Sequence, residues 1–166
     1  AFREAGFHTV FLSNQRPNHS FIDFLGQQAD QWLFLKTGDA NNQGRQLSEA
    51  ISPDSNFYDA ALLPLIDQVL AQKRKKEFIV LHTYGSHFNY KERYPRNMAY
   101  FKPDTRCEAK KENRPHLINA YDNTIRYTDY VLSGVIARLK KHGGMSAMLY
   151  TSDHGENIFD DNHNLF

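Results

Sequence analysis

Cysteine is almost missing from this chain. Cys107 is the single one in 166 residues, so no internal disulfide framework can staple the fold and no multi-cysteine zinc module is possible. A large excess of charge of either sign is missing too. Twenty Lys and Arg stand against 19 Asp and Glu, a net charge of +1, which excludes a global basic field for nucleic acid and an acidic solvating tail. No apolar run approaches the roughly 18 residues of a membrane span, and the opening AFREAGFH lacks the apolar core of a signal peptide. What is present is a composition 40% hydrophobic and 13% aromatic, which excludes disorder of the chain as a whole and argues for a compact domain with a real core. The sequence opens without methionine and closes on DDNHNLF, and both ends read as those of a piece of something larger.

Four short apolar runs read as buried strands: Val10 to Leu12, Trp32 to Leu35, Phe78 to Leu81 and Met148 to Tyr150. Tyr58 to Ala71 carries Leu62, Leu65, Ile66, Val69 and Leu70 at the spacing of an amphipathic helix, with Pro64 tolerable only in its first turn. A second helix is expected from Arg114 to Lys141, with Leu117, Tyr121, Ile125, Leu132, Ile136 and Leu139 along its apolar side and Gly143 and Gly144 as its stop. Alternation of helix and strand predicts an α/β fold, a mainly parallel sheet sandwiched by helices. The polar, aperiodic stretches Gly38 to Asp54 and Lys91 to Asn113 read as long surface excursions.

Three of the strands lead into polar clusters. The first precedes Ser13, Asn14 and Gln15; the third precedes His82, Thr83, Tyr84, Gly85, Ser86 and His87; the fourth precedes Thr151, Ser152, Asp153, His154, Gly155 and Glu156. Parallel strands would set all three along one sheet edge, where open α/β sheets bind their ligands. In SDHGE, a turn at Gly155 could swing the Asp153 carboxylate and the His154 imidazole toward one cation, and mixed oxygen and nitrogen donors suit Zn2+, with Mn2+ the weaker alternative. The plainer reading makes Asp153 a turn cap. Two adjacent ligands cannot complete a tetrahedral site, so others must come from elsewhere. His87 sits farther into its loop than His82 and is the better candidate to meet a phosphate oxygen, act as general acid or become a metal ligand itself; His82 reads equally well as a buried, hydrogen-bonded strand end. Behind it, Lys91, Arg93 and Arg96 interleave with Tyr90 and Tyr94, a combination suited to an anionic headgroup or to an ordinary solvated face. The KRKK run at 73–76 reads as a solvated face. Asn119, Asp122, Asn123 and Asp129 are many polar groups for one helix and are expected to brace neighbouring loops.

Taken together, AGFHTVFLSNQ, FIVLHTYGSHFNYKERYP, INAYDNTIRYTDYVL and LYTSDHGEN resemble, in that order, the phosphoethanolamine transferases, a branch of the alkaline phosphatase and sulfatase superfamily. The combination of H-T-x-G-S-H with R-Y-P, then Y-D-N-T, then S-D-H-G-E is more specific than any single motif. The resemblance implies an alkaline-phosphatase-like fold, incomplete here, with residues 1–166 forming the C-terminal part of one periplasmic catalytic domain. It also implies a tether to a bacterial inner membrane through helices that precede this stretch. The implied reaction moves phosphoethanolamine from phosphatidylethanolamine to lipid A or another envelope glycan through a phosphorylated threonine held at zinc. Residue by residue, Asp153 and His154 match two zinc ligands and His87 a histidine near the phosphoryl group, the expected catalytic and substrate-binding residue; Arg93 and Tyr94, suited by their chemistry to an anionic group, are expected to help hold substrate.

Other parts of the family pattern are not matched. Its threonine nucleophile and an acidic zinc ligand belong to segments upstream of AFREAG, so neither Thr83 nor Thr124 takes that role. A further family histidine follows SDHGE in a register that His163 does not meet. Where lipid A enzymes of the family carry paired cysteines, only Cys107 stands. The expectation is therefore a fragment with no transferase activity of its own, weak zinc affinity at best, and self-association or partial disorder arising from an uncovered sheet edge and apolar surface. The rival readings are a sulfatase or phosphoglycerol transferase of the same superfamily, and a non-catalytic domain that holds anionic lipid headgroups.

Overall fold

The computed structural model describes residues 1–15, 21–35 and 58–160, which divide into two compact units, Ala1–Tyr84 and Gly85–Phe166. The expected loop at 38–54 and His163 lie outside the described residues.

The first unit is built on a parallel sheet of β1 (His8–Ser13), β2 (Gln31–Phe34) and β3 (Glu77–His82), in the order β2-β1-β3. Val10 pairs with Gln31 on one side and with Ile79 on the other. All three strands therefore run in one direction, as the alternation of elements predicts. The central strand is buried on both faces from Val10 to Ser13, which is why its sequence is a continuous apolar run rather than an alternating one. Helix α1 (Phe21–Gln27) makes the crossover from β1 to β2. At the entrance to β2, Asp30 accepts hydrogen bonds from the Thr9 backbone N–H at 2.9 Å and the Thr9 hydroxyl at 2.8 Å, and these bonds hold its carboxyl below the usual range.

Before β3 come a 3-10 turn, Asp59–Leu62, and helix α2 (Leu63–Leu70), with Pro64 in the first turn as expected. The apolar side of this helix is the expected one, since Leu62, Leu65, Ile66, Val69 and Leu70 are all buried. The break into two helical types follows from the proline, which removes a donor at the junction.

The second unit is organised by one long helix, α3 (Arg114–His142), which ends at Gly143 with φ 77°, a conformation glycine adopts without strain. Its core joins Tyr90, Leu117, Ala120, Ile158 and Phe159. Arg114 ties the far end of the described chain to the start of α3, donating to the carbonyls of Ile158 and Phe159 and to Asp160.

Three expectations change here. The buried side of α3 is Leu117, Ala120, Asn123, Thr124, Tyr127, Val131 and Val135, whereas the expected Ile125 and Ile136 are 47% and 37% exposed. The helix carries two apolar stripes, and the one turned inward includes two polar residues that a hydropathy pattern discards. The stretch 91–113 is no simple surface excursion: it holds three short 3-10 turns and buries Tyr94 and Asp104. Met148 to Tyr150 forms no strand, and Leu149 is 92% exposed. An apolar run becomes a strand only when a neighbour satisfies its backbone groups, and among the described residues none does so.

Candidate functional site

At the carboxyl ends of β1 and β3 the first two polar clusters meet. Ser13 Oγ lies 2.9 Å from His82 Nδ1 and accepts the Gln15 backbone N–H at 3.0 Å. The Gln15 side chain donates to the Thr83 carbonyl at 3.3 Å. Beneath them lies Asp59, a residue to which the sequence drew no attention. Its Oδ1 accepts both the Asn14 side-chain amide and the Tyr84 backbone N–H at 2.9 Å, and Asp59 is 5% exposed. This carboxylate fixes the backbone just before Gly85. Its position at the start of an amphipathic helix reads as a routine cap, so its partners at 14 and 84 have no local signature.

In the second unit the chain turns at Gly85, φ 55°, and presents Ser86 and His87. The His87 ring is exposed, with Nδ1 at 2.5 Å from the Phe88 carbonyl oxygen. A carbonyl only accepts, so Nδ1 carries the proton and Nε2 is the nitrogen that can gain or release one. Arg93 clamps the same backbone, donating through Nε to the His87 carbonyl at 2.8 Å and through a terminal nitrogen to the Phe88 carbonyl at 3.2 Å. Tyr94 is 1% exposed and points the other way: its hydroxyl donates to Asp104 at 2.8 Å and accepts from Asn123 at 3.3 Å. Burial, then the bond to Asp104, pushes that hydroxyl well above its usual pKa.

Asp104 is the hub of the loop. Burial would raise its pKa, but hydrogen bonds from Lys102 at 2.7 Å, Lys91 at 2.5 Å and Tyr94 outweigh that and bring it down to about 2. Asn123 on α3 completes the brace. Its carbonyl oxygen accepts the backbone N–H groups of Tyr100 and Phe101 at 2.8 and 2.9 Å, and its amide donates to the Phe101 carbonyl at 2.9 Å. One turn earlier, Asn119 donates to the Pro103 carbonyl at 2.9 Å. The expected bracing role thus falls to Asn119 and Asn123.

Asp153 and His154 lie on an exposed stretch without regular structure. His154 Nδ1 faces the Gly155 carbonyl at 2.8 Å, which turns Nε2 to within 3.8 Å of Asp153 Oδ2. That bond to Gly155, then the Asp153 charge, raises the imidazole pKa. Two ligand atoms on one tetrahedral zinc stand about 3.3 Å apart, so this carboxylate and imidazole fit zinc in kind and nearly in spacing. They do not fit in number, because the described residues contain no group of three or more candidate ligands. Glu156, the last residue of the motif, instead accepts the Tyr90 hydroxyl at 3.3 Å. The third polar cluster therefore does not take its expected place at the end of a fourth strand.

A parallel sheet with crossover helices, strand-end polar clusters and an Asp-His pair together match a known pattern. The sulfatase family model matches residues 1–165, and the chain belongs to that family. Its relatives there narrow the comparison to phosphoethanolamine transferases. The chain is 32% identical over 144 residues to the Kdo(2)-lipid A phosphoethanolamine 7''-transferase of Salmonella typhimurium, an alignment covering 85% of this chain and 25% of that protein. It resembles the C-terminal periplasmic domain of phosphoethanolamine transferase EptC from Campylobacter jejuni, with a TM-score of 0.64 and 28% identity over 85% of this chain and 39% of that one. It also shares the fold of the C-terminal periplasmic domain of EcEptC from Escherichia coli in complex with Zn, with a TM-score of 0.63 and 23% identity over 82% of this chain and 36% of that one. The chain thus spans a quarter of the first relative and less than two fifths of the solved domains. The expected family and the alkaline-phosphatase-like α/β fold hold. Among the described residues no helix is long and apolar enough to cross a membrane.

Proposed function

We propose that this chain is part of the catalytic domain of a zinc-dependent phosphoethanolamine transferase working at the periplasmic face of a bacterial inner membrane. The donor is phosphatidylethanolamine and the acceptor is lipid A or another envelope glycan, with transfer through a phospho-threonine supplied by polypeptide outside the described residues. The reading is carried by the His87 turn, an exposed imidazole whose tautomer is set by the Phe88 carbonyl and whose backbone is gripped by Arg93. His87 binds a phosphate oxygen through Nε2 and, when protonated, can deliver that proton to a leaving oxygen. Arg93 and Tyr94 serve substrate binding from behind, one by holding the His87 carbonyl and the other by anchoring the loop through Asp104.

Asp153 and His154 would hold zinc only together with ligands from elsewhere. Zinc bound there would neutralise phosphate charge and lower the pKa of a hydroxyl nucleophile. Calorimetry with zinc tests the assignment: weak binding that Asp153→Ala and His154→Ala each diminish is expected. Heats unaffected by either substitution would remove both residues from the metal site. Tight 1:1 binding abolished by Asp153→Ala would refute the claim that further ligands are needed.

A further inference from the structure

Thr124 belongs to the Y-D-N-T motif, lies on the inward side of α3 and is 1% exposed. Its Oγ1 is 2.6 Å from the Tyr121 carbonyl oxygen, one turn back on the same helix, and 2.7 Å from Ser86 Oγ. A hydroxyl has one proton. The carbonyl can only accept, so that proton goes to Tyr121, and the Ser86 hydroxyl supplies the proton of the other bond. The result is a directed chain, Ser86 to Thr124 to the Tyr121 carbonyl, anchored on a 29-residue helix. Ser86 is the residue immediately before His87. Together with the two Arg93 bonds to the following carbonyls, it holds the turn on both sides of the imidazole.

We propose that Thr124 is a positioning residue, which acts through Ser86 to fix the His87 imidazole in the orientation that meets a phosphate oxygen. The proposal rests on the reading of His87 given above. A threonine here is neither a nucleophile nor a helix-former of choice, since β-branching and bonding to the preceding turn both disfavour it in a helix interior. A hydroxyl reaching across to the loop accounts for it.

The test compares the 166-residue chain with Thr124→Val, Thr124→Ser and Ser86→Ala. The first readout is the pair of His87 ring nitrogen shifts, measured by NMR without any added ligand, which report the tautomer. The second is the affinity for O-phosphoethanolamine, followed on the same ring. The parent and Thr124→Ser should keep the Nδ1–H signature, whereas Thr124→Val and Ser86→Ala should shift toward a tautomer mixture and bind the probe about 5-fold more weakly, the worth of one hydrogen bond. Ser86 is only half-buried on a loop, so its variant folds even if the valine variant does not. Ring shifts unchanged in both Thr124→Val and Ser86→Ala would overturn the proposal. So would a Thr124→Ser variant that behaves like Thr124→Val. A parent chain that keeps the tautomer signature but does not bind the probe would count against the phosphate-binding role of His87 and leave the positioning of its ring standing.

Discussion

Replacing Asp104 by asparagine keeps the shape of the side chain and removes its charge. Asp104 is 4% exposed and its carboxylate receives bonds from Lys91, Lys102 and Tyr94, so little water competes for it. Its pKa falls from an ordinary 3.8 to about 2 in the folded state, which corresponds to about 2 kcal/mol favouring the ionised, folded form. Because the folded pKa is the lower one, this stability is present in full above about pH 4 and is lost as pH falls through about 2. Urea denaturation of the parent and of Asp104→Asn, repeated from pH 7 down to about 2.5, measures it. The variant should be less stable by about 2 kcal/mol at neutral pH, and the gap should close by more than half at the acid end. A gap that stays constant across the range would refute the argument, because a deficit independent of pH cannot come from the ionised carboxylate.

Two further substitutions probe the supports of the candidate site. Asn123→Ala takes the acceptor from the part-buried N–H groups of Tyr100 and Phe101 and should cost about 2 kcal/mol by urea denaturation, whereas a surface-like cost below about 0.5 kcal/mol would show that the loop re-pairs elsewhere. Asp59→Ala strips the acceptor from Tyr84 N–H and the Asn14 amide and should lower stability by about 2 kcal/mol, with Asp59→Asn, which retains a carbonyl oxygen, recovering part of it; equal melting points for the two variants would argue against the hydrogen bonds as the cause.

How much of this could be read in advance differed by element. The sheet was legible because β1 and β3 are continuous apolar runs with helical segments between them, and a parallel pair needs such crossovers. The amphipathic side of α2 was legible because its neighbours lie on one side only. In α3 the expected stripe holds only in part: Leu117 is buried and Tyr121 packs against the core, but Ile125 and Ile136 are exposed, while Asn123 and Thr124 face inward to satisfy the backbone and hydroxyl groups of loop residues more than twenty positions away in sequence. Asp59 carries no local signal for a similar reason. Its two partners lie 45 and 25 residues off, and no pattern within one helix encodes them.

By itself, the sequence determined the family and the direction of the strands, and it supplied the residues to which the proposed chemistry is assigned: His87, Asp153 and His154. These follow from local motif, local periodicity and intrinsic side-chain chemistry. Only the tertiary structure decided that Tyr94 and Asp104 are buried anchors, that Arg93 grips the backbone beside the His87 imidazole and that Thr124 reaches Ser86. It decided equally that Met148 to Tyr150, strand-like in composition, forms no strand among the described residues. A side chain's chemistry is its own, whereas a hydrogen bond or a strand requires a partner that only the folded chain brings near.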